Sequence, residues 1–180
     1  KYYSSGTVGA ISSLLADAID FGVSASQLTA AQKLVLPDAK LVPSLVFAVN
    51  FAYNIPELAD SDIPLLIDFQ TAADIFLNKI QSWNHENITR LNPDIAALLP
   101  DEPILVAYNT VPQSLTYLYT LPLSVQVPEF KDRVGASTYV VFPVVTENPA
   151  RTVPCDSLTY LMTAMRDTPY AFSGCVCGRV

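Results

Sequence analysis

Basic patches are missing from this chain of 180 residues. Its ten Lys and Arg never adjoin, and seventeen Asp and Glu bring the net charge to -7. Such a balance repels polyanions, and phosphate contacts need clustered cations, so no nucleic-acid partner is expected. Long apolar runs are missing too. Nothing approaches the roughly 20 residues of a membrane span, so no membrane insertion is expected. Glycine is scarce at six residues, and Gly6-x-x-Gly9 is only a fragment of a phosphate loop. Histidine occurs once, as His85 in the polar stretch 84–87. No Ser/His/Asp arrangement or metal-ligand spacing therefore converges, and the chain is expected to be no enzyme and to carry no cofactor and no metal. Charged residues make up 15%, against about a quarter in an average domain. That excludes a solvated tail or coiled coil.

What is present is core. Hydrophobic residues reach 51% and mean hydropathy is +0.32, enough to fill one domain or two small lobes. The start, Lys1-Tyr2-Tyr3, has neither an initiating Met nor a signal peptide, and the end reads as a cut. The expectation is a segment of something longer. Three cysteines stand at 155, 175 and 177. A bridge between Cys175 and Cys177 would be strained on one strand face. The expected disulfide joins Cys155 to Cys175 or Cys177, with three plain thiols as the alternative. One N-glycosylation sequon, Asn87-Ile88-Thr89, is present. Bridge and sequon together point to a secreted or cell-surface chain.

Helical stripes alternate with short apolar runs, the mark of an α/β class. Val8, Ile11, Leu14, Leu15 and Ala18 predict a helix opened by the cap-competent stretch Ser4-Ser5-Gly6-Thr7. That stretch offers amides and hydroxyls to an anion, although plain capping explains it as well. Residues 19–23 predict a strand, and Ser26 caps a short helix over 29–33. The run Leu45-Val46-Phe47-Ala48-Val49 has the continuous apolarity of a strand buried on both faces. Phe69, Ala73, Phe76, Leu77 and Ile80 make a second helical stripe, followed by Trp83 and a shorter helix at Ile88 and Leu91. Residues 103–108 predict a strand. A helix runs over 113–121 with Pro122 ending or kinking it. Residues 129–133 form a turn or helix, 139–142 a strand and 143–154 a proline-rich loop. The last helix carries Leu158, Leu161, Met162 and Met165, with Asp156 as its cap, and 172–176 closes the sheet.

One stretch goes beyond composition. Asp74-Ile75-Phe76-Leu77-Asn78-Lys79-Ile80-Gln81-Ser82-Trp83 continues to Ile88-Thr89-Arg90-Leu91-Asn92-Pro93. It resembles the signature of the periplasmic phosphate-binding proteins of bacterial uptake transporters, Asp-Ile-aromatic-Leu-Gly-Lys-Ile-x-x-Trp followed by Ile-x-x-Leu-Asn-Pro. Residues 19–24 resemble the segment after that family's first anion-binding loop, and 43–49 its hinge-proximal strand. Glu129-Phe130-Lys131-Asp132-Arg133-Val134-Gly135 is similar to its EWKxxVG turn. Thr168-Pro169-Tyr170-Ala171-Phe172-Ser173-Gly174 is similar to its TPGSIGY segment. The resemblance implies a periplasmic-binding-protein-like (type II) two-lobed α/β fold, incomplete in this chain, with mixed sheets flanked by helices. Residues 1–52 would be first-lobe, 53–142 second-lobe, and 143–180 the closing helix and strand with the crossover region. The missing first strand and return segment would lie outside the chain.

The resemblance also implies a site and its erosion. Ser5 falls near the first-lobe serine contact. The family aspartate falls at Ala25, the arginine at Asn109, and Asp-Gly-Ser-Gly-Thr on Val111-Pro112-Gln113-Ser114-Leu115. A buried dianion needs paired charge and several donors. Asn109 brings no net charge, Pro112 has no N–H, and Leu115 replaces a hydroxyl. Specific phosphate binding is therefore expected to be lost. The residual cleft residues are Ser5, Asn109, Gln113 and Ser114. The favoured function is a non-catalytic structural or adhesive module of a secreted or cell-surface assembly. Its partners would be further copies of the chain, as a homo-oligomer, or neighbouring segments of the same polypeptide. The alternative is a solute-binding module with non-phosphate specificity.

Overall fold

The computed structural model describes residues 5–44, 46 and 48–176. Among these, four strands form one mixed sheet in the order β1-β4-β2-β3: β1 Val49–Tyr53, β2 Leu105–Asn109, β3 Thr152–Cys155 and β4 Ala171–Val176. β2 runs parallel to both β3 and β4, and β1 is antiparallel to β4. The α/β class and the mixed sheet agree with the sequence.

Among the described residues eight α-helices surround or extend this sheet: α1 Gly6–Leu15, α2 Ala30–Val35, α3 Phe69–Phe76, α4 Glu86–Leu91, α5 Ser114–Gln126, α6 Pro128–Arg133, α7 Pro143–Glu147 and α8 Leu158–Asp167. Local chemistry sets several of their starts. Thr29 and Gln32 form a reciprocal capping box on α2, so Thr29 rather than Ser26 is the cap. Asp68 accepts from the Thr71 amide at 2.7 Å and opens α3. Ser157, not Asp156, accepts from Tyr160 to open α8.

The core sits between the sheet and α3, α5 and α7. Phe76 stacks on Phe142 with ring centroids 4.6 Å apart and on Tyr119 at 5.6 Å. Phe51 stacks on Phe172 at 5.5 Å across the β1–β4 pair. Trp83 is fully buried and donates its indole N–H to the Tyr170 carbonyl, the polar contact a buried Trp requires.

The signature segment serves as a structural latch. After α3 the chain turns through Asn78 at φ 64, where the resembling family carries glycine. Asn tolerates this left-handed region better than most residues. Its side chain accepts from the Arg151 guanidinium at 3.0 Å and donates to Glu147 at 3.2 Å. Arg151 is buried and also donates to the carbonyls of Ile104 and Ile80. Burial pushes its guanidinium below the usual arginine value.

Four sequence expectations need correction. Residues 19–23 form no strand, because no described strand lies beside them to pair with. The apolar run before β1 becomes a strand only from Val49, and Val46 is 99% exposed; Leu45 and Phe47 lie outside the described residues. Residues 139–142 form no strand: Tyr139 lies in a bend and 140–142 carry no regular structure. The expected loop at 143–154 holds α7 and β3, whose Pro154 is tolerated because β3 is an edge strand. Pro122 does not end its helix, since α5 continues through it to Gln126, which leaves a kink as the remaining alternative.

Of the two expected disulfide pairings, Cys155–Cys175 is not formed. Cys155 is a buried free thiol. In the sheet, Asn109 is level with Cys155 on β3, and continuing the β2–β4 register brings Cys175 level with Asn109 from the other side. The two cysteines are thus two strands apart, roughly 9–10 Å, beyond the roughly 7 Å that a bridge tolerates. Cys175 Sγ instead lies 3.0 Å from Met162 Sδ. Cys177 lies outside the described residues. Among them, no helix is long and apolar enough to cross a membrane.

Candidate functional site

In an α/β sheet, ligands gather beyond the carboxyl ends of parallel strands, where helix N-termini point inward. β2 ends at Asn109, and four residues later Gln113 opens α5. No side chain caps that helix. The Gln113 amide donates to the Thr138 carbonyl at 2.8 Å and ties the 136–138 loop to the helix start. Thr110 donates both its amide and its hydroxyl to the Cys155 carbonyl, fixing the turn after β2 against β3.

Asn109 is the unusual member of this edge. It is 5% exposed. Its Nδ2 lies 3.5 Å from Thr116 Oγ1 in the first turn of α5, and its Oδ1 has no hydrogen-bond partner among the described residues. A separation of 3.5 Å lies beyond the normal N–H···O range. Whichever way the amide is turned, one polar atom is unpartnered and the other barely engaged. A buried unsatisfied carbonyl costs about 1–3 kcal/mol.

A groove of about 420 Å³ lies alongside, between α1 and α5. Its polar lining includes Thr7, Ser12, Ser26, Gln32, Ser137 and Thr138, with the Tyr117 side of α5 as one wall. Ser5 is the N-cap residue of α1, and its side chain makes no capping hydrogen bond. Thr7 Oγ1 accepts from the Ala25 amide at 2.9 Å. That bond holds the loop where the family aspartate was expected.

The sequence-derived residues divide accordingly. Asn109, Gln113 and Ser114 come together at the start of α5. Ser5 stands at the start of α1, whose first turn lines the groove, although none of these four is itself in the groove lining. Thr7 belongs to the cap-competent stretch 4–7 that the sequence offers to an anion, though not to the residual cleft residues that the resemblance implies. Ser137 and Thr138 were missed, because only the Gln113–Thr138 contact brings them in. Asn87 is the second residue of α4 and is half-buried beside fully buried Ile88. Among the described residues no cluster of His, Cys, Asp and Glu could hold a metal ion.

Comparison with known proteins places this geometry. Residues 1–148 match the model of the PBP superfamily domain. The chain is 38% identical over 128 residues to the phosphate-binding protein PstS of Methanocaldococcus jannaschii, covering 71% of this chain and 32% of that protein. It is 31% identical over 147 residues to a putative serine/threonine-protein kinase/receptor of Acanthamoeba polyphaga mimivirus, covering 81% of this chain and 9% of that protein. Among solved structures, a high-affinity periplasmic phosphate-binding protein bound with phosphate superposes with a TM-score of 0.66 at 17% identity, over 94% of this chain and 48% of that one. The phosphate-binding protein from Stenotrophomonas maltophilia does so at 0.61 and 14%, over 97% and 52%. The chain thus spans about a third of the M. jannaschii protein and about half of the solved structures.

Proposed function

The chain belongs to the PBP superfamily as a PstS-like domain, and we propose that it is the ligand-contacting part of a solute-binding module. Its site is set for a small neutral polar solute that carries a hydrogen-bond donor, not for a phosphate dianion. The observation that carries this reading is the buried, unpartnered Asn109 carbonyl oxygen beside the uncapped start of α5. An acceptor at that position is satisfied by a ligand O–H or N–H, and the helix N-terminus favours a ligand oxygen.

Phosphate is disfavoured on three counts. Ala25 and Leu115 bring no polar side chain, Pro112 brings no amide, and Asn109 supplies no charge. Each absent charge-assisted bond is worth about 1.5–3 kcal/mol, so two of them weaken affinity by roughly two to four powers of ten.

The structural or adhesive role favoured from the sequence gains no support from this edge, since a scaffold has no use for a buried acceptor without a partner. The match inside a mimivirus protein named kinase/receptor supports a binding module that sits within longer chains. The periplasmic phosphate-binding neighbour supports a place outside the cytoplasmic membrane, where Asn87 would be open to glycosylation before α4 forms. A mass change after glycosidase treatment checks that.

Isothermal titration decides the ligand class, on the 180-residue chain and on the longest natural polypeptide that contains it. The probes are inorganic phosphate, glucose, glycerol and glutamine. Saturable heat is expected with a neutral probe and none with phosphate at neutral pH. Micromolar phosphate binding overturns the specificity, and silence with every probe on both proteins overturns the solute-binding reading.

A further inference from the structure

The groove between α1 and α5 has a lining that selects a chemistry. Charged residues make up 15% of the chain, yet among the described residues that line the groove none is charged. A phosphate, carboxylate or ammonium group taken up there would meet no counter-ion, and an unpaired charge out of water is heavily penalised. The ligand that fits is neutral.

Hydroxyls and amides make up the polar part, and several keep capacity beyond their internal contacts. Thr7 Oγ1 accepts from the Ala25 amide, which leaves its own O–H to donate. Gln32 Oε1 accepts from the Thr29 amide, which leaves its side-chain NH2 to donate. Thr138 accepts from the Gln113 amide through its backbone carbonyl, so its hydroxyl is not committed to that bond. A hydroxyl both donates and accepts, which is what a ligand rich in hydroxyls requires of its site.

A second strip of the same lining is apolar. In α1 the pairs Thr7–Ile11 and Val8–Ser12 each stand four residues apart. Hydroxyl and aliphatic side chains therefore share one face of the helix. Across the groove stands Tyr117, half-buried on α5, a large apolar ring with a polar tip. Glycerol or a small amide makes little use of such a strip. A pyranose has both surfaces, a rim of hydroxyls and faces of C–H groups. The volume of about 420 Å³ falls within the range of about 300–1,000 Å³ typical of ligand pockets.

We propose that the solute of this module is a neutral carbohydrate, held with its hydroxyl rim on Thr7, Gln32 and Thr138 and a C–H face on Tyr117. The proposal rests on the solute-binding reading above and adds the class of solute and the residues that select it. Thr138 joins the two parts: it lines the groove, and its carbonyl holds the start of α5, where Asn109 lies.

Saturation-transfer-difference NMR tests this on the 180-residue chain and on the longest natural polypeptide that contains it. The probes are glucose, mannose, galactose, N-acetylglucosamine and maltose, set against glycerol and glutamine. Saturable transfer to the ring C–H protons of at least one sugar is expected. Tyr117→Leu should weaken that sugar by about 3- to 10-fold, and Tyr117→Phe should restore it. Thr138→Val keeps the side-chain shape and should weaken it by about threefold or more. Melting temperatures near that of the parent show that the variants are folded, and should Tyr117→Leu melt early, Thr138→Val decides. Saturable binding of glycerol or glutamine with no transfer to any sugar overturns the carbohydrate class while leaving the solute-binding reading intact. Sugar binding that neither Tyr117→Leu nor Thr138→Val weakens overturns the assignment to this groove. Silence with every probe on both proteins overturns both readings.

Discussion

Gly174 lies against the ring of Tyr119: a Cβ built on it would sit 2.2 Å from Cδ1 and 2.4 Å from Cγ. The absence of a side chain on β4 is what lets α5 lay this aromatic on the sheet, where it stacks with Phe76. Burial pushes the Tyr119 phenol well above its usual range, with the Thr116 hydroxyl offsetting part of the effect. Gly174→Ala is expected to destabilise the fold by about 1–3 kcal/mol through overpacking, lowering the melting temperature by roughly 2–4 °C per kcal/mol. Restoring stability in a Gly174→Ala, Tyr119→Leu double variant would assign the loss to this contact. A single variant that melts like the parent would refute it.

Arg151 and Asn78 form the second testable pair. The guanidinium satisfies two buried carbonyls and the Asn78 side chain with no carboxylate in its set. Arg151→Lys removes the planar fork and is expected to cost about 1–3 kcal/mol in chemical denaturation. Asn78→Ala adds the strain of a positive φ, roughly 1–2 kcal/mol. In a double-mutant cycle the two should couple by at least about 0.5 kcal/mol. Strict additivity would show that the latch is not a unit.

How far the sequence discloses this molecule depends on whether the relevant partner is local. The helical stripes around Phe76 and Leu161 were legible because their period refers to a core within the chain. Residues 19–23, Val46 and Ala48 misled for the opposite reason: their pattern describes a burial that the described residues do not supply. β3 was hidden by Pro154, a poor strand signal made acceptable only by an edge position that no local pattern reveals. At the site, Asn109 was legible through the family resemblance, yet its unpartnered oxygen was not, since satisfaction of a polar atom depends on Thr116 and the turn of α5. Asn78 and Tyr170 stand where the family patterns carry glycine, and both keep a positive φ, 64 and 65. The backbone requirement outlived the residue that usually meets it.

Cys155 gives a pH dependence. Burial, aided by the nearby Asp156 charge, pushes its thiol up to about 11 from 9.0. The folded state therefore holds the proton more tightly than the unfolded chain. Its contribution is fully present below about pH 9 and is lost as pH rises toward 11. With about 1.4 kcal/mol per pKa unit, the loss is on the order of 2 kcal/mol. Denaturation curves at pH 8 and pH 11 should converge more closely for Cys155→Ala than for the parent. Equal alkaline losses in both would remove Cys155 from the account. Alkylation by iodoacetamide at neutral pH should likewise be slow in the folded protein and fast in denaturant.

Asn109 separates stability from function. Leucine has the same number of side-chain heavy atoms with the same branching and no polar atoms, so Asn109→Leu removes the unpartnered carbonyl without opening a cavity. Replacing an unsatisfied buried polar group by an apolar one of like shape is near neutral or stabilising. The variant is expected to melt at or above the parent temperature, by up to the equivalent of about 1–3 kcal/mol. It should also lose the saturable heat that a neutral probe gives with the parent. Asn109→Asp supplies a control. It keeps the acceptor and adds a charge, so it should keep an affinity for donor-bearing neutral probes while rejecting anions further. A markedly lower melting temperature for Asn109→Leu would mean that the amide serves the fold, through Thr116, and not a ligand. Parent-like stability with unimpaired probe binding would place the site in the groove between α1 and α5, at Thr7, Ser137 and Thr138. Raised stability together with lost binding is the pattern of a residue retained for its ligand at the expense of the fold.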